Sequence, residues 1–236
     1  MRPQRFTSEA AAASAPRATG PARPRTRVKI CGITTWADAR LSVDLGASAL
    51  GFNFYPSSPR AISPAEAWNI IRRLPPFVDA VGVFVNWPPL VVDALARALR
   101  LAAVQLHGEE SPAELAALAS RHKVIKAVRV GPRFRPALLR RYWRADALLL
   151  DGFAPKLRGG TGRTLDWRVA RDARRFGRII LAGGLTPDNV AEAIRIARPW
   201  AVDVASGVEA RPGRKDPGKL RALFAAVDAA GRPELN

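Results

Sequence analysis

Residues 28–36 read VKICGITTW, and this stretch decides how the rest of the chain is interpreted. An apolar, β-branched run ends in Cys31, which is the only cysteine of the chain, and Gly32 separates it from Thr34 and Thr35, which open a helical pattern. This order predicts a strand, a tight turn and a helix N-cap, with a thiol where the strand stops. A lone cysteine is usually a small buried apolar residue, so an active role for Cys31 depends on what the fold places beside it.

From residue 27 onward, short apolar runs alternate with helical patterns. The runs begin near Val28, Ala49, Val81, Ala103, Val124, Ala147, Ile179 and Val202. The helical patterns cover residues 35–45, 64–74, 89–100, 112–121, 134–143, 166–175, 188–197 and 216–228. Ser63 and Ser111 open capping boxes, and Thr186 is expected to open a further helix. Eight such units predict an α/β fold, a single-domain (β/α)8 TIM barrel over residues 27–230. A doubly wound open sheet is the alternative, but no glycine-rich dinucleotide fingerprint follows the first run.

Composition limits the classes of protein to which the chain can belong. Of its 236 residues 48% are apolar, the net charge is +18, and a single cysteine excludes an internal disulfide framework. No apolar run is long enough to span a bilayer, and two histidines with one distant cysteine do not make a metal-ligand spacing. The arginines are spread over every predicted helix, so an arginine-rich genome or an anionic substrate explains the charge better than a nucleic-acid partner. We therefore expect a cytoplasmic protein with no metal, no nucleic acid and no membrane among its partners.

The first 26 residues differ in composition from the rest. They are rich in Ala, Pro, Ser, Thr and Arg and show no apolar period, so we expect residues 1–26 to be a disordered tail. Their arginine-rich, acid-poor character also suits an organelle transit peptide, and a start site assigned too far upstream is a third explanation. Because the segment lacks a clear amphipathic face, a solvated tail or an upstream start site is favoured over a transit peptide.

Two loops that follow predicted strands are longer than the others, residues 54–60 and 153–164. In a (β/α)8 barrel all such loops lie at the C-terminal, catalytic end. Arg60 closes the first loop and suits two-pronged binding of a carboxylate. Asp151 ends the sixth strand, either as a turn residue or as an acid in apolar surroundings. His107 ends the fourth strand, either as a hydrogen-bond donor at the rim or as an exposed loop residue.

Glycine-rich turns are the candidates for binding a phosphate. They follow the sixth, seventh and eighth predicted strands and contain Gly159, Gly160 and Gly162; Gly183 and Gly184; and Ser206 and Gly207. In this architecture the turns after strands seven and eight commonly hold phosphate through backbone N–H groups. The alternative is that these glycines only relieve crowding at the rim. Because two such turns occur together at strands seven and eight, the sequence favours a phosphate site.

Taken together, these motifs resemble the phosphoribosylanthranilate isomerase family. The resemblance rests on KICGIT (29–34), GFNFYPSSPR (51–60), VGVFVN (81–86), QLHG (105–108), LD (150–151), GGTG (159–162), LAGGL (181–185) and SGVE (206–209). It runs in order from about residue 27 to residue 228, and it departs at Ala205, where the family commonly has a serine. It implies a barrel that catalyses the Amadori rearrangement of N-(5-phosphoribosyl)anthranilate to 1-(2-carboxyphenylamino)-1-deoxyribulose 5-phosphate in tryptophan biosynthesis. It also implies that no cofactor or metal takes part.

The resemblance implies a role for each candidate residue. Asp151 would be the general acid that opens the sugar ring, and Cys31 the general base that takes a proton from the adjacent carbon. A free thiol is mostly protonated at neutral pH, so a positive charge such as Lys29, or the following helix N-terminus, would help Cys31 to act. Arg60 would hold the anthranilate carboxylate, His107 would bind substrate at the rim, and the glycine turns would hold the phosphate. A barrel isomerase of histidine biosynthesis is the alternative, but that family uses two aspartates where this chain has Cys31 and one aspartate. The choice between a monomer and a homodimer stays open.

Overall fold

Eight parallel strands pair in chain order and form a closed barrel, because the eighth strand hydrogen-bonds to the first. The structure is a computed structural model, and it describes residues 26–152 and 166–231. The strands are β1 (Arg27–Cys31), β2 (Ala49–Asn53), β3 (Asp79–Phe84), β4 (Ala103–Leu106), β5 (Val124–Val130), β6 (Ala147–Gly152), β7 (Ile179–Ala182) and β8 (Ala201–Val204). The predicted barrel is confirmed, and the open sheet is excluded.

Helices connect the strands on the outside of the barrel. They are α1 (Trp36–Asp44), α2 (Pro64–Ile71), α3 (Pro89–Ala98), α4 (Pro112–Ala119), α5 (Trp167–Ala173), α6 (Val190–Ala197) and α7 (Pro217–Gly231). Ser63 and Ser111 each accept a hydrogen bond from the amide three residues further on, and the glutamate at that position accepts one from the serine amide. Both predicted capping boxes are therefore present, and they define the starts of α2 and α4.

Two predicted helices differ from the expectation. Pro136–Tyr142 is a 3₁₀ segment and not the α-helix expected over residues 134–143. No side chain caps its start, and a short uncapped connector commonly takes the tighter 3₁₀ form. α6 begins after Asn189 and not at Thr186. The reason is that the Asn189 side chain accepts from the Thr186 amide and donates to the Gly184 carbonyl, both at 2.9 Å, which closes the preceding residues into a loop.

Successive side chains along each strand point alternately to the inside and the outside of the barrel, which gives the fold two apolar layers. Inward-pointing side chains form the smaller one, which consists of Val81, Ile125, Ala127, Ala147, Leu149, Ile180, Ala182 and Ala201. The larger layer packs between the outer face of the barrel and the helices, and includes Ile30, Phe52, Phe84, Leu106 and Leu150. The barrel interior is therefore filled by rather small side chains, and the polar candidates are left at its rim.

Lys29 and Lys126 each form a buried ion pair near the C-terminal rim. Lys29 Nζ is 2.9 Å from Asp203 Oδ1, and the two residues are register partners on β1 and β8, where the barrel closes. Asp203 follows the inward-facing Ala201 by two positions, so this pair lies inside the barrel. Lys126 Nζ is 2.7 Å from Glu110 Oε2. The Lys126 side chain lies on the outer face of β5, because both of its strand neighbours point inward.

A short antiparallel hairpin follows β8 and is absent from the sequence prediction. Its strands are β9 (Glu209–Arg211) and β10 (Arg214–Lys215). The turn contains Gly213 at a φ of +76°, in the left-handed region that favours glycine. The Thr34 hydroxyl donates to the Gly213 carbonyl, and Lys215 Nζ donates to the Cys31 carbonyl at 2.7 Å. The hairpin is thus fastened to the loop that follows β1.

The expected tail, residues 1–26, lies outside the described residues apart from Thr26, and so does the whole loop 153–164. The described strands and helices begin at Arg27 and end at Gly231. Within the described ranges, no helix combines the length and the apolar character that crossing a membrane requires.

Candidate active site

Candidate side chains meet at one end of the barrel, because parallel strands in a barrel all end at the same rim. Cys31 is the last residue of β1, and Asp151 is the last but one of β6. His107, Gly183 and Ala205 directly follow β4, β7 and β8. Since β7 and β8 separate β6 from β1, the thiol and the carboxyl group lie on different sides of the mouth.

The thiol of Cys31 lies beside an ammonium group. A Cβ atom added to Gly51 would come within 2.7 Å of Cys31 Sγ and 3.0 Å of Lys29 Nζ. Because glycine has no side chain, this space is open, and the thiol and the ammonium lie together beside it. Lys29 is in turn held by Asp203. Gly51 is therefore required at this position because a larger residue would displace the thiol or the ammonium.

Burial and charge act in opposite directions on these groups. Burial raises the pKa of the Cys31 thiol, and the Lys29 ammonium offsets this only in part, so the pKa stays above its usual value. For Lys29 burial works to lower the pKa, but the Asp203 carboxylate and the sulfur of Cys31 outweigh it and hold the pKa above its usual value. Lys29 thus supplies the expected positive charge, while the thiol remains the predominant form of Cys31 at neutral pH.

A chain of hydrogen bonds reaches Asp151. Gln105 Nε2 lies 2.9 Å from His107 Nδ1, and His107 Nε2 lies 3.2 Å from Asp151 Oδ2. With the Gln105 amide in this orientation Nδ1 must accept, so Nε2 carries the proton and donates to Asp151. The other carboxyl oxygen of Asp151, Oδ1, lies close to Gly183, at 2.7 Å from the position that an added Cβ would take there. His107 is therefore held at the rim between Gln105 and Asp151.

Arg60 forms a two-pronged ion pair within the protein. Its Nε and Nη2 atoms donate to the two carboxylate oxygens of Glu209 at 2.9 and 2.7 Å. The aliphatic part of the side chain packs on Gly32, where an added Cβ would come within 2.6 Å of Arg60 Cδ. Sequence reasoning missed Glu209 as a functional candidate, although the residue closes the quoted SGVE motif, because nothing in that motif indicates an arginine partner 149 positions away.

The two glycine turns after β7 and β8 touch each other. Gly183 and Gly184 both have positive φ values, +82° and +67°, which favour glycine. A Cβ on Gly207 would lie 1.8 Å from the carbonyl oxygen of Leu185, so the second turn packs directly on the backbone of the first. Within the described ranges the amide N–H groups of Gly184 and Gly207 have no hydrogen-bond acceptor. The arrangement can therefore donate hydrogen bonds to an anion from two adjoining turns.

The remaining predicted residues can be placed as follows. Gly159, Gly160 and Gly162 lie outside the described residues. Ser206 opens a short 3₁₀ turn that ends at Val208. Among the described side chains no group of three or more His, Cys, Asp or Glu residues could hold a metal ion.

A second network, not expected from the sequence, supports the His107 loop. Lys126 Nζ donates to the carbonyls of Leu106 and Gly108 and to Glu110, and Glu110 accepts from the Gly108 amide. Both charged side chains are almost fully buried. The pair thus binds the backbone on each side of His107 and limits where its imidazole can lie.

Comparison with known proteins gives consistent results. The family model described as N-(5'phosphoribosyl)anthranilate (PRA) isomerase matches residues 28–226. The N-(5'-phosphoribosyl)anthranilate isomerase of Trichlorobacter lovleyi is 54% identical over 196 residues, which cover 83% of this chain and 94% of that protein.

Two solved structures are also similar. One is a phosphoribosyl anthranilate isomerase in complex with reduced 1-(o-carboxyphenylamino)-1-deoxyribulose 5-phosphate, with 44% identity and a TM-score of 0.78 over 86% of this chain and 99% of that one. The other contains monomers generated from the dimeric phosphoribosylanthranilate isomerase of Thermotoga maritima, with 42% identity and a TM-score of 0.77 over 86% and 98%.

Proposed function

The chain belongs to the N-(5'-phosphoribosyl)anthranilate isomerase family, and from this we propose that Asp151 and Cys31 are the acid and the base of its reaction. It is an isomerase of tryptophan biosynthesis, and it rearranges N-(5-phosphoribosyl)anthranilate to 1-(2-carboxyphenylamino)-1-deoxyribulose 5-phosphate. The observation that carries the proposal is that a carboxyl group and a thiol lie on different sides of one rim, each beside a second polar group.

Asp151 acts first. Its proton passes to the furanose ring oxygen, the bond between that oxygen and C1 breaks, and the nitrogen lone pair forms a Schiff base at C1. His107 engages Oδ2, which leaves Oδ1 as the oxygen that carries the proton. The acid is thus held in one orientation before the substrate binds, which reduces the reorganisation needed in the transition state.

Cys31 acts second. It takes the proton from C2, and the electrons of that bond move toward the iminium nitrogen, which gives an enolamine. Proton loss from the C2 hydroxyl and proton gain at C1 complete the ketone. Because burial raises the pKa of the thiol, the thiolate is the minor form, and the adjacent Lys29 ammonium is the group that stabilises it. The imine itself accepts the electrons, so the proposed steps use no cofactor and no metal.

Substrate binding uses the rest of the rim. We assign the anthranilate carboxylate to Arg60 and the phosphate to the turns at Gly183–Gly184 and Ser206–Gly207. The free amides of these turns support the second assignment, and they are backbone groups, so Ala205 in place of the usual serine leaves them unchanged.

The test follows the fall in fluorescence as the anthranilate-sugar substrate is consumed. Cys31→Ala and Asp151→Asn should each lower kcat by about 10²–10⁴-fold with an unchanged melting temperature. Asp146→Asn is the matched control, because Asp146 precedes the same strand at the opposite end of the barrel, and its kcat should stay within about twofold. Near-full turnover by folded Cys31→Ala would remove the thiol from the mechanism.

A homodimer is the oligomeric state that we propose. Phe77, between α2 and β3, is 99% exposed and has a φ of +69°. It borders a cavity of about 440 Å³ at the N-terminal end of the barrel, which Arg27, Arg178 and Trp200 also line. A two-fold axis would bring each copy's Phe77 to the other's cavity, and the dimeric relative from Thermotoga maritima supports this reading. The wild type should elute as a dimer and Phe77→Asp as a monomer; identical elution at the monomer position overturns the proposal.

The cytoplasm is the proposed location, since the single cysteine suits a reducing compartment. Nucleic acid is not a proposed partner. Several of the arginines lie over aromatic rings of this chain, for example Arg73 over Trp36 and Arg100 over Trp68. The flat faces of these guanidinium groups are therefore engaged within the protein.

A further inference from the structure

Glu209 has an unusually complete set of hydrogen-bond donors. Its carboxylate accepts from Nε and Nη2 of Arg60, from Lys215 Nζ at 3.1 Å and from the Gly213 amide at 3.2 Å. Only 4% of its side chain is exposed. Burial works to raise the pKa of Glu209, but these donors outweigh it and lower the pKa, so the residue is a carboxylate at neutral pH.

Arg60 keeps part of its guanidinium free in this arrangement. Five N–H groups are available, and Glu209 takes two of them along the edge formed by Nε and Nη2. The three others have no acceptor among the described residues, and 23% of the side chain is exposed. The remaining edge, formed by Nη1 and Nη2, has the fork geometry that binds a second carboxylate. A substrate carboxylate can therefore bind Arg60 without displacing Glu209.

The guanidinium is also fixed from a second direction. The methylene groups of Arg60 lie against Gly32, next to Cys31 in the chain, while Glu209 belongs to the hairpin whose Lys215 donates to the Cys31 carbonyl. Arg60 and the end of β1 are thus both held by the same hairpin. An arginine without these contacts would have to lose side-chain rotamer freedom each time that it bound a ligand, which would weaken binding.

We propose that Glu209 is a positioning residue that holds Arg60 ready for the substrate carboxylate, and that it thereby sets the preference for an N-phosphoribosyl arylamine with an ortho-carboxylate. This inference rests on the proposed role of Arg60. It assigns Glu209 no contact with the reacting atoms. Its effect should therefore fall on the recognition of the carboxylate and not on the proton transfers.

The test compares two substrates that differ only in that carboxylate, N-(5-phosphoribosyl)anthranilate and N-(5-phosphoribosyl)aniline. Glu209→Gln should raise KM for the first about tenfold and leave its kcat within twofold, because a neutral amide no longer binds both prongs of Arg60. For the aniline compound KM, or Ki if it only inhibits, should change less than twofold.

Glu110→Gln is the matched control. Glu110 is also a buried, lysine-paired carboxylate at the rim, but it supports the His107 loop and not Arg60. Whatever its effect on rate, it should act equally on both substrates. In an Arg60→Ala background Glu209→Gln should add no further loss of discrimination. If Glu209→Gln does not fold, Arg60→Lys takes its place. This substitution removes the two-pronged guanidinium from the arginine's side of the ion pair, and it should show the same selective rise in KM.

Three results would overturn the inference. The first is an equal rise in KM for both compounds in Glu209→Gln. The second is a lower KM for the anthranilate compound in that variant, which would mean that Glu209 competes with substrate. The third is normal discrimination between the two compounds by folded Arg60→Lys. A wild type that converts neither compound would instead contradict the reaction itself, so the two failures are distinguishable.

Discussion

Gly207 offers a sharp test of the phosphate site, because the structure shows what a single methyl group would meet there. An alanine Cβ would lie 1.8 Å from the Leu185 carbonyl oxygen, and ordinary contact begins near 3.4 Å, so the two turns would have to separate by about 1.6 Å (3.4 − 1.8). The obstacle is backbone and cannot rotate away. A movement of this size exceeds the range of roughly 0.5 Å over which N–H···O hydrogen bonds form, so one turn would lose its hold on the phosphate.

The size of the effect follows from the bonds lost. The hydrogen bond from the Gly207 amide to a charged phosphate contributes roughly 1.5–3 kcal/mol, which corresponds to about ten- to a hundredfold in kcat/KM. Overpacking should also lower the free energy of unfolding by about 1–3 kcal/mol. We expect Gly207→Ala to raise KM and the inhibition constant of inorganic phosphate in parallel, as measured by steady-state kinetics with phosphate as competitor.

Gly131→Ala is the control for this substitution. Nothing lies within 4 Å of the position that its Cβ would take, and it should leave KM unchanged. The reasoning would be refuted if Gly207→Ala, folded by circular dichroism, bound phosphate as tightly as the wild type.

Two further predictions concern the buried charges. Lys29→Met should raise the pKa of Cys31 further, because the ammonium now lowers it, whereas Asp203→Asn should lower that pKa, because the carboxylate now raises it. The rate of Cys31 alkylation by iodoacetamide, followed against pH, should therefore shift in opposite directions in the two variants, and a shift in the same direction would contradict the assignment. Lys126→Met leaves Glu110 buried and unpaired, and it should lower the free energy of unfolding by about 3–5 kcal/mol. Urea denaturation measures this free energy. The double variant Lys126→Met with Glu110→Gln should recover part of the loss. A loss below about 1 kcal/mol would mean that water reaches the carboxylate.

The architecture could be predicted from the sequence because its signals are local. Ser63 and Ser111 act on amides three residues away, and strand and helix periods are visible within a dozen residues. The same local information places Cys31 and Asp151 at strand ends. Since parallel strands of a barrel end together, this was enough to predict that the two residues share a rim.

The contacts that define the site could not be predicted, since they join distant parts of the chain. Arg60 and Glu209 are 149 positions apart, and His107 and Asp151 are 44 apart. The hairpin at residues 209–215 has strands of only three and two residues, too short for a recognisable period. Its course is set by hydrogen bonds to Thr34 and Cys31, which exist only in the folded chain.

The seam between β1 and β8 has a consequence for how the protein is made. Cys31 and Lys29 leave the ribosome among the first residues of the barrel, but Asp203 and Lys215, whose charges also act on the thiol, leave among the last. During almost all of translation the thiol therefore belongs to an incomplete arc of strands and lacks two of the charges that act on it in the folded barrel. A prematurely terminated chain that stops before β8 would expose this sulfur with Lys29 but without Asp203 and Lys215, and catalytic competence would arrive only with the final βα unit.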